Sequence, residues 1–67
     1  MTQHPEGPDD DVNGYVGLDR EIAEQRARDR GWFVRSLSPD AVFTADYRWG
    51  RINFVVVDGI VTRAWQG

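Results

Sequence analysis

The apolar and polar positions of this chain separate one helical segment from three extended segments, after a polar start. The helical segment covers residues 20–30, REIAEQRARDR. Three of its apolar residues fall on one stripe of a helix: Ile22, Ala23 and Ala27. Asp19 stands at the N-cap position, and Gly31 stands where a helix commonly ends in a residue of positive φ. This pattern predicts one amphipathic helix.

Three segments rich in β-branched and aromatic residues are predicted to be strands, at residues 32–37, 51–57 and 60–65. In the middle one, Arg51 and Asn53 lie on the opposite face from the apolar residues with which they alternate. Asp58-Gly59 predicts a tight hairpin between the second and third strands. The first and second strands are separated by 13 residues, a length that permits a parallel pair joined by a wide crossover.

These elements predict an α+β fold in which a single helix packs on a small mixed β-sheet, with a long extended loop between the first two strands. The chain has 67 residues, so we expect one domain, at residues 14–67. Residues 1–13 are rich in proline, glycine and aspartate and are predicted to be a disordered acidic tail. The aspartates at 9–11 are expected to be solvated, because neighbouring carboxylates alone supply no cage for a cation.

Composition narrows the classes of function. The chain has no cysteine, which excludes disulfides, thiolate metal sites and cysteine nucleophiles. Its single histidine, His4, lies in the predicted tail and is a poor candidate for a catalytic base. The net charge of −3 disfavours nucleic acid as a partner, and no apolar run approaches membrane-spanning length. We expect a monomer without metal or cofactor.

The cellular location stays open. The start, MTQHPEGPDDD, has neither the basic n-region nor the apolar h-region of a signal peptide. A cytoplasmic protein and a secreted mature form are both compatible with this start.

The loop between the first two strands carries the most specific motif of the chain, FTADYRWGR at residues 43–51. Its TADYR segment is followed by RINF at 51–54 and by the closing IVTRAWQG at 60–67. Together with Val16-Gly17 before the helix, these motifs resemble the potato inhibitor I family of serine-protease inhibitors, and most closely its bacterial and fungal relatives. The resemblance covers residues 16–67 and implies the same α+β fold, with an extended, substrate-like loop that docks into a protease.

Matching of positions with that family implies a reactive-site bond between Ala45 and Asp46. Seven residues would form the protease-binding loop: Val42, Phe43, Thr44, Ala45, Asp46, Tyr47 and Arg48. The family braces this loop with basic side chains of the following strand, and Arg51 matches the first of them. The second position, often arginine in plant and leech members, is Asn53 here, as is common in the bacterial and fungal relatives. The resemblance therefore implies a less cationic brace.

The resemblance implies a reversible, substrate-like inhibitor that is not itself an enzyme and whose partner is a serine protease. Because Ala45 is small, the expected target is subtilisin-like or elastase-like, whereas trypsin-like proteases require a basic residue at that position. A charge-assisted hydrogen bond between Arg51 and Asp46 would hold the reactive bond in place.

Two other functions stay open. The same fold can serve as an interaction module that presents the loop, with Tyr47 and Trp49, to a partner that is not a protease. Trp49 itself can either cover the core side of the loop or contact a partner at the rim. An enzyme is the remaining possibility, but its acid–base chemistry would fall to unpaired carboxylates, since cysteine is absent and the one histidine lies in the tail.

Overall fold

The computed structural model describes residues 10–41 and 46–67. A short 3₁₀ helix, Val12–Tyr15, precedes the helix α1, Arg20–Asp29. Three strands follow: β1, Phe33–Leu37; β2, Arg51–Val57; and β3, Ile60–Gln66. Within the described residues, the fold is α+β as predicted, with one α-helix packed on a three-stranded mixed sheet.

The sheet has the order β1-β2-β3, so β2 is its middle strand. β1 pairs with β2 in parallel, as the length of the connection permits, and the register sets Arg35 opposite Asn53. β2 and β3 are antiparallel and are joined by Asp58 and Gly59, whose φ angles of 51° and 79° fit a type I′ turn. Because side chains alternate along a strand, Arg35 and Asn53 share the face that points away from α1.

Helix α1 begins where predicted and ends at Asp29, one residue earlier than predicted. The Asp19 carboxylate accepts hydrogen bonds from two backbone N–H groups of the first turn, at 2.9 and 3.5 Å, and Gly31 follows the helix with a φ of 95°. Of the predicted apolar stripe, Ala23 and Ala27 are fully buried, but Ile22 is 53% exposed. The prediction for Ile22 was wrong because the helix meets the sheet along a narrow line of small residues, which leaves the neighbouring position outside.

The hydrophobic core lies between α1 and the sheet. Its buried residues in the described part of the chain are Tyr15, Ala23, Ala27, Trp32, Ile52, Phe54 and Val61. The rings of Tyr15 and Phe54 are in contact, with their centroids 5.4 Å apart. Aromatic side chains supply a large buried area per residue, which suits a chain of this size. The core therefore fixes one face of the sheet, and the opposite face supports the connection between β1 and β2.

The folded unit begins before residue 14, so the predicted limit of the tail at residue 13 was wrong. The Asp10 carboxylate accepts hydrogen bonds from Trp32 Nε1 at 3.0 Å, from Arg30 Nη1 at 2.9 Å and from the Tyr15 hydroxyl. With its side chain only 11% exposed, Asp10 is not the solvated aspartate that was predicted. Burial raises the pKa of Asp10, but the hydrogen bonds from Tyr15 and Trp32 and the charge of Arg30 outweigh that effect, so its pKa is lowered. Residues 1–9, including His4, lie outside the described residues.

Candidate functional site

The candidate site lies where the connection between β1 and β2 reaches the start of β2. Because the two strands are parallel, this connection of 13 residues has to return along the sheet. Four positions predicted for the protease-binding loop lie outside the described residues: Val42, Phe43, Thr44 and Ala45. Asp46 is therefore the first residue of the predicted loop whose contacts are described.

Arg51 holds Asp46 at the base of the loop. Its Nη2 donates a hydrogen bond to the backbone oxygen of Asp46 at 3.0 Å, and its Nη1 lies 3.4 Å from the carboxylate Oδ2. The predicted hydrogen bond between these two side chains is therefore present. The same guanidinium also donates to the backbone oxygen of Gly67, from Nε at 3.0 Å and from Nη2 at 2.8 Å. Arg51, which is itself buried, thus ties the loop to the residue that follows β3.

Asn53 was predicted to brace the loop, and residues 42–45 of that loop lie outside the described residues, so this stays a prediction. In the described part of the chain, its fully buried amide bonds to the neighbouring strands: Nδ2 donates to the backbone oxygen of Trp65 at 3.3 Å, and Oδ1 accepts from Arg35 Nε at 2.8 Å. Because β2 is the middle strand, the Asn53 amide has partners on both β1 and β3.

Arg35 supplies a second cation at the loop, one that was not predicted from the sequence. Its Nη1 lies 3.7 Å from Asp46 Oδ1, and Arg51 approaches the other carboxylate oxygen. With asparagine at the second position on β2, the second arginine at Asp46 comes from β1. Alternation along residues 32–37 and the predicted parallel pairing were the available signals, but the register that sets Arg35 beside Asn53 is not readable from the sequence.

Gly67 contacts the residues that follow Asp46 in the loop. Its backbone oxygen accepts from the Arg48 N–H at 3.4 Å, and its own N–H donates to the Arg51 oxygen at 2.9 Å. With a φ of 136°, Gly67 packs so closely on Tyr47 that a Cβ atom there would lie 3.2 Å from two ring carbons. A side chain at this position would be strained and would also displace the Tyr47 ring.

Three aromatic side chains around this segment are more than half exposed, and we call them the aromatic rim: Phe33 at 55%, Tyr47 at 56% and Trp49 at 54%. Tyr47 and Trp49 contact each other edge to face, with centroids 5.6 Å apart. The guanidinium of Arg48 lies over the Phe33 ring, 4.3 Å from its centroid. Trp49 was expected either to cover the core side of the loop or to contact a partner at the rim. Its exposure of 54% does not fit a cover over the core.

The described site joins a fixed carboxylate, a fixed backbone oxygen and exposed aromatic rings. Across residues 10–41 and 46–67, no group of three or more His, Cys, Asp or Glu side chains is placed to hold a metal ion. None of the helices in those residues is long and apolar enough to cross a membrane. Chemically, such an arrangement can present a stiff segment of backbone to another protein.

In comparisons with protein-family models, with curated proteins and with solved structures, no match to this chain reached significance. The resemblance to the potato inhibitor I family therefore rests on the sequence motifs alone.

Proposed function

We propose that this protein is a serine-protease inhibitor of the potato inhibitor I type, which binds its target through residues 42–48 in the manner of a substrate. The observation that carries the proposal is the hold on Asp46, the residue after the proposed reactive bond. Its backbone oxygen is bonded to Arg51, and its carboxylate lies between Arg51 and Arg35. Both arginines project from a sheet whose other face is fixed by the core, so the support of the loop is stiff.

Stiffness decides whether such a loop inhibits a protease or is digested by it. Ordering a flexible side chain on binding costs about 0.5–1.5 kcal/mol, and a preorganised loop avoids much of that cost. When the protease serine attacks the carbonyl carbon of Ala45, the bond to the Asp46 nitrogen breaks and leaves an acyl-enzyme and a new amine. Because Arg51 holds Asp46, this amine stays near the acyl carbon and re-forms the peptide bond at high effective concentration. Turnover therefore stalls.

The residues on either side of the bond favour a protease with a small or tolerant pocket. Ala45 would fill such a pocket, and Val42 and Phe43 would add apolar contacts before it. On the other side of the bond, Tyr47 and Arg48 continue the binding segment. Subtilisin-like and elastase-like proteases fit this pattern, whereas trypsin-like proteases do not.

Titration of subtilisin, elastase and chymotrypsin with the full chain tests the proposal, with trypsin as the control protease. We expect stoichiometric loss of subtilisin or elastase activity and little effect on trypsin. Absence of inhibition at micromolar concentration contradicts the proposal. So does steady digestion of the chain without inhibition, since that is the behaviour of an ordinary substrate.

Ala45→Leu tests which residue enters the main specificity pocket. Leucine adds three carbons, worth roughly 2 kcal/mol in a deep apolar pocket, so the inhibition constant for chymotrypsin should fall by about 30-fold. Elastase, whose pocket is small, is the matched control and should gain nothing. Equal or weaker inhibition of chymotrypsin by the variant would mean that Ala45 is not the residue in the pocket.

The aromatic rim favours a second candidate, an interaction module that uses the same face against a partner that is not a protease. Each of its three residues is more than half exposed, and aromatic residues are enriched in the contact regions of protein interfaces. In this case the titration gives no inhibition of any protease, although the chain is folded. Catalytic turnover of some substrate would instead indicate an enzyme.

A further inference from the structure

The carboxylate of Asp46 is shared between two guanidinium groups that come from different strands. Arg51 on β2 approaches Oδ2 at 3.4 Å, and Arg35 on β1 approaches Oδ1 at 3.7 Å. A carboxylate held at both oxygens has less freedom to rotate than one held at a single oxygen. Arg35 therefore adds a constraint on Asp46 that Arg51 alone does not supply.

Asn53 fixes the direction from which Arg35 approaches. Its Oδ1 accepts the Arg35 Nε–H at 2.8 Å, and its Nδ2 donates to the Trp65 oxygen at 3.3 Å. Because the amide is fully buried, turning it over would leave these groups unsatisfied, so one orientation is strongly favoured. The Arg35 side chain is only 23% exposed, so its stem is packed while its tip lies beside the loop.

We propose that Arg35 and Asn53 form one positioning unit, which takes the place of a second arginine on β2. This unit lowers the rate at which the protease cleaves the peptide bond between residues 45 and 46. Asn53 orients the guanidinium, and Arg35 supplies the charge. They act through Asp46, by keeping the new amine beside the acyl-enzyme, and the inference therefore rests on the proposed function.

Arg35→Met removes the guanidinium and keeps a flexible apolar stem. With subtilisin or elastase, whichever the wild type inhibits, cleavage at 45–46 is followed by mass spectrometry. We expect cleavage to become about fivefold faster, as about 1 kcal/mol from a partly exposed ion pair would give. The association rate should change by less than about twofold, since interface changes act mostly on later steps. Screening in 1 M salt should shrink the difference between variant and wild type.

Arg63→Met is the matched control for this variant. Arg63 lies on β3, on the same face of the sheet, and its guanidinium stacks 5.4 Å from the Trp65 ring centroid. No ion pair joins Arg63 to Asp46 among the described residues. We expect cleavage of this variant at the wild-type rate. Arg51→Ala is the positive reference, because it removes the bonds to both the backbone and the carboxylate of Asp46 and should make inhibition transient.

Asn53→Ala and the double variant with Arg35→Met test whether the two residues act as one. If Asn53 acts only through Arg35, the double variant is cleaved no faster than Arg35→Met alone. Combining Arg35→Met with Asn53→Arg, which moves the charge to β2, should restore slow cleavage. Additive effects of the two single variants would overturn the idea of one unit. Urea unfolding verifies that each variant is folded, and if Asn53→Ala is not, Arg35→Met and its control still decide.

Titration with the wild-type chain separates the two ways in which this inference can fail. If the wild type inhibits neither protease, the proposed function fails and the positioning role falls with it. If the wild type inhibits but Arg35→Met is cleaved at the wild-type rate, inhibition stands and only the role of Arg35 and Asn53 is wrong.

Discussion

Arg51 is a charged side chain that is only 8% exposed, which is costly unless its donors are satisfied. Two of its hydrogen bonds go to the backbone oxygen of Gly67, and two go to Asp46. The Asp46 side chain is itself 53% exposed, so the ion pair contributes less than a buried one would. The bonds to Gly67 do not involve the loop, and Arg51 is therefore held in position whether or not a partner is bound.

Asp10, like Arg51, is a charged residue with little exposure that bonds to several partners. It is the only described acid that joins Tyr15, Arg30 and Trp32, and it thereby links the start of the folded unit to the end of α1. A carboxylate with several donors and little exposure stabilises the fold most while it is ionised. Stability should therefore depend on the pH at which Asp10 is protonated.

Asp10→Asn tests this dependence. Because the pKa of Asp10 in the folded protein is below its ordinary value of 3.8, its contribution is present above that value and is lost as the pH falls through the folded pKa. At neutral pH the variant should lose about 1.5–3 kcal/mol, the range for hydrogen bonds to a charged group. Its stability should also fall less steeply in acid. Urea unfolding at several pH values measures both effects.

Asp40→Asn is the control for the unfolding measurements at acid pH, since Asp40 is exposed in the connection after β1. It should keep the wild-type dependence on pH. An Asp10→Asn curve parallel to the wild type throughout the acid range would mean that Asp10 does not contribute through its charge.

At the scale of elements, the hairpin between β2 and β3 can be weakened without touching the loop. Gly59 has a φ of 79° and no atom within 4 Å of the position that a Cβ would take, so Gly59→Ala is opposed by backbone conformation alone. We expect a loss of about 1–2 kcal/mol in the free energy of unfolding. Inhibition should be unchanged, because β2 places the turn about 20 Å from the start of the strand, at about 3.3 Å per residue.

Gly14→Ala is the matched control for the turn. Gly14 also has open space at its Cβ position, and its φ is not positive. Its stability should stay within about 0.5 kcal/mol of the wild type. Equal losses from the two substitutions would indicate that the positive φ of Gly59 is not what matters.

The elements were predictable from local patterns, and the contacts between them were not. The helix, the strands and the hairpin follow from periodicity, caps and turn residues, whereas the length of one connection only permitted the parallel pairing. The role of Arg35 depends on the register of two strands, and that of Asp10 on donors 5, 20 and 22 residues away. Arg51 could be placed beside Asp46 because the residues are only five apart and a loop motif joined them. Contacts between residues close in the sequence could therefore be predicted, whereas those of Arg35 and Asp10 with distant residues could not.

At the scale of the whole molecule, the net charge of −3 does not describe the charge of the residues that form the site. The excess of acid lies in residues 1–18, which have no lysine or arginine, whereas residues 31–67 carry four arginines and three aspartates. Charge acts on a partner through the surface that it meets, and distant charges are screened within about 10 Å at ordinary salt. The acidic pI is therefore no guide to the charge of the partner's binding surface.

The parallel pairing of β1 with β2 has a consequence for the chain after cleavage. Helix α1 and β1 precede the proposed reactive bond, and β2 and β3 follow it. The core draws Tyr15, Ala23, Ala27 and Trp32 from the first piece, and Ile52, Phe54 and Val61 from the second. Five strand partners also pair across the division, so the two pieces are expected to stay together as a heterodimer.

Synthetic peptides of residues 1–45 and 46–67 test this expectation directly. Mixed in equal amounts, they should form a one-to-one complex with the circular dichroism of the intact chain, and Phe54→Ala in the shorter peptide should weaken it by about 3–5 kcal/mol. Peptides that stay apart at high concentration would contradict it. Since the loop is the covalent link between the halves, it acts as a tether that raises their effective concentration, and cutting it turns folding into association between two chains.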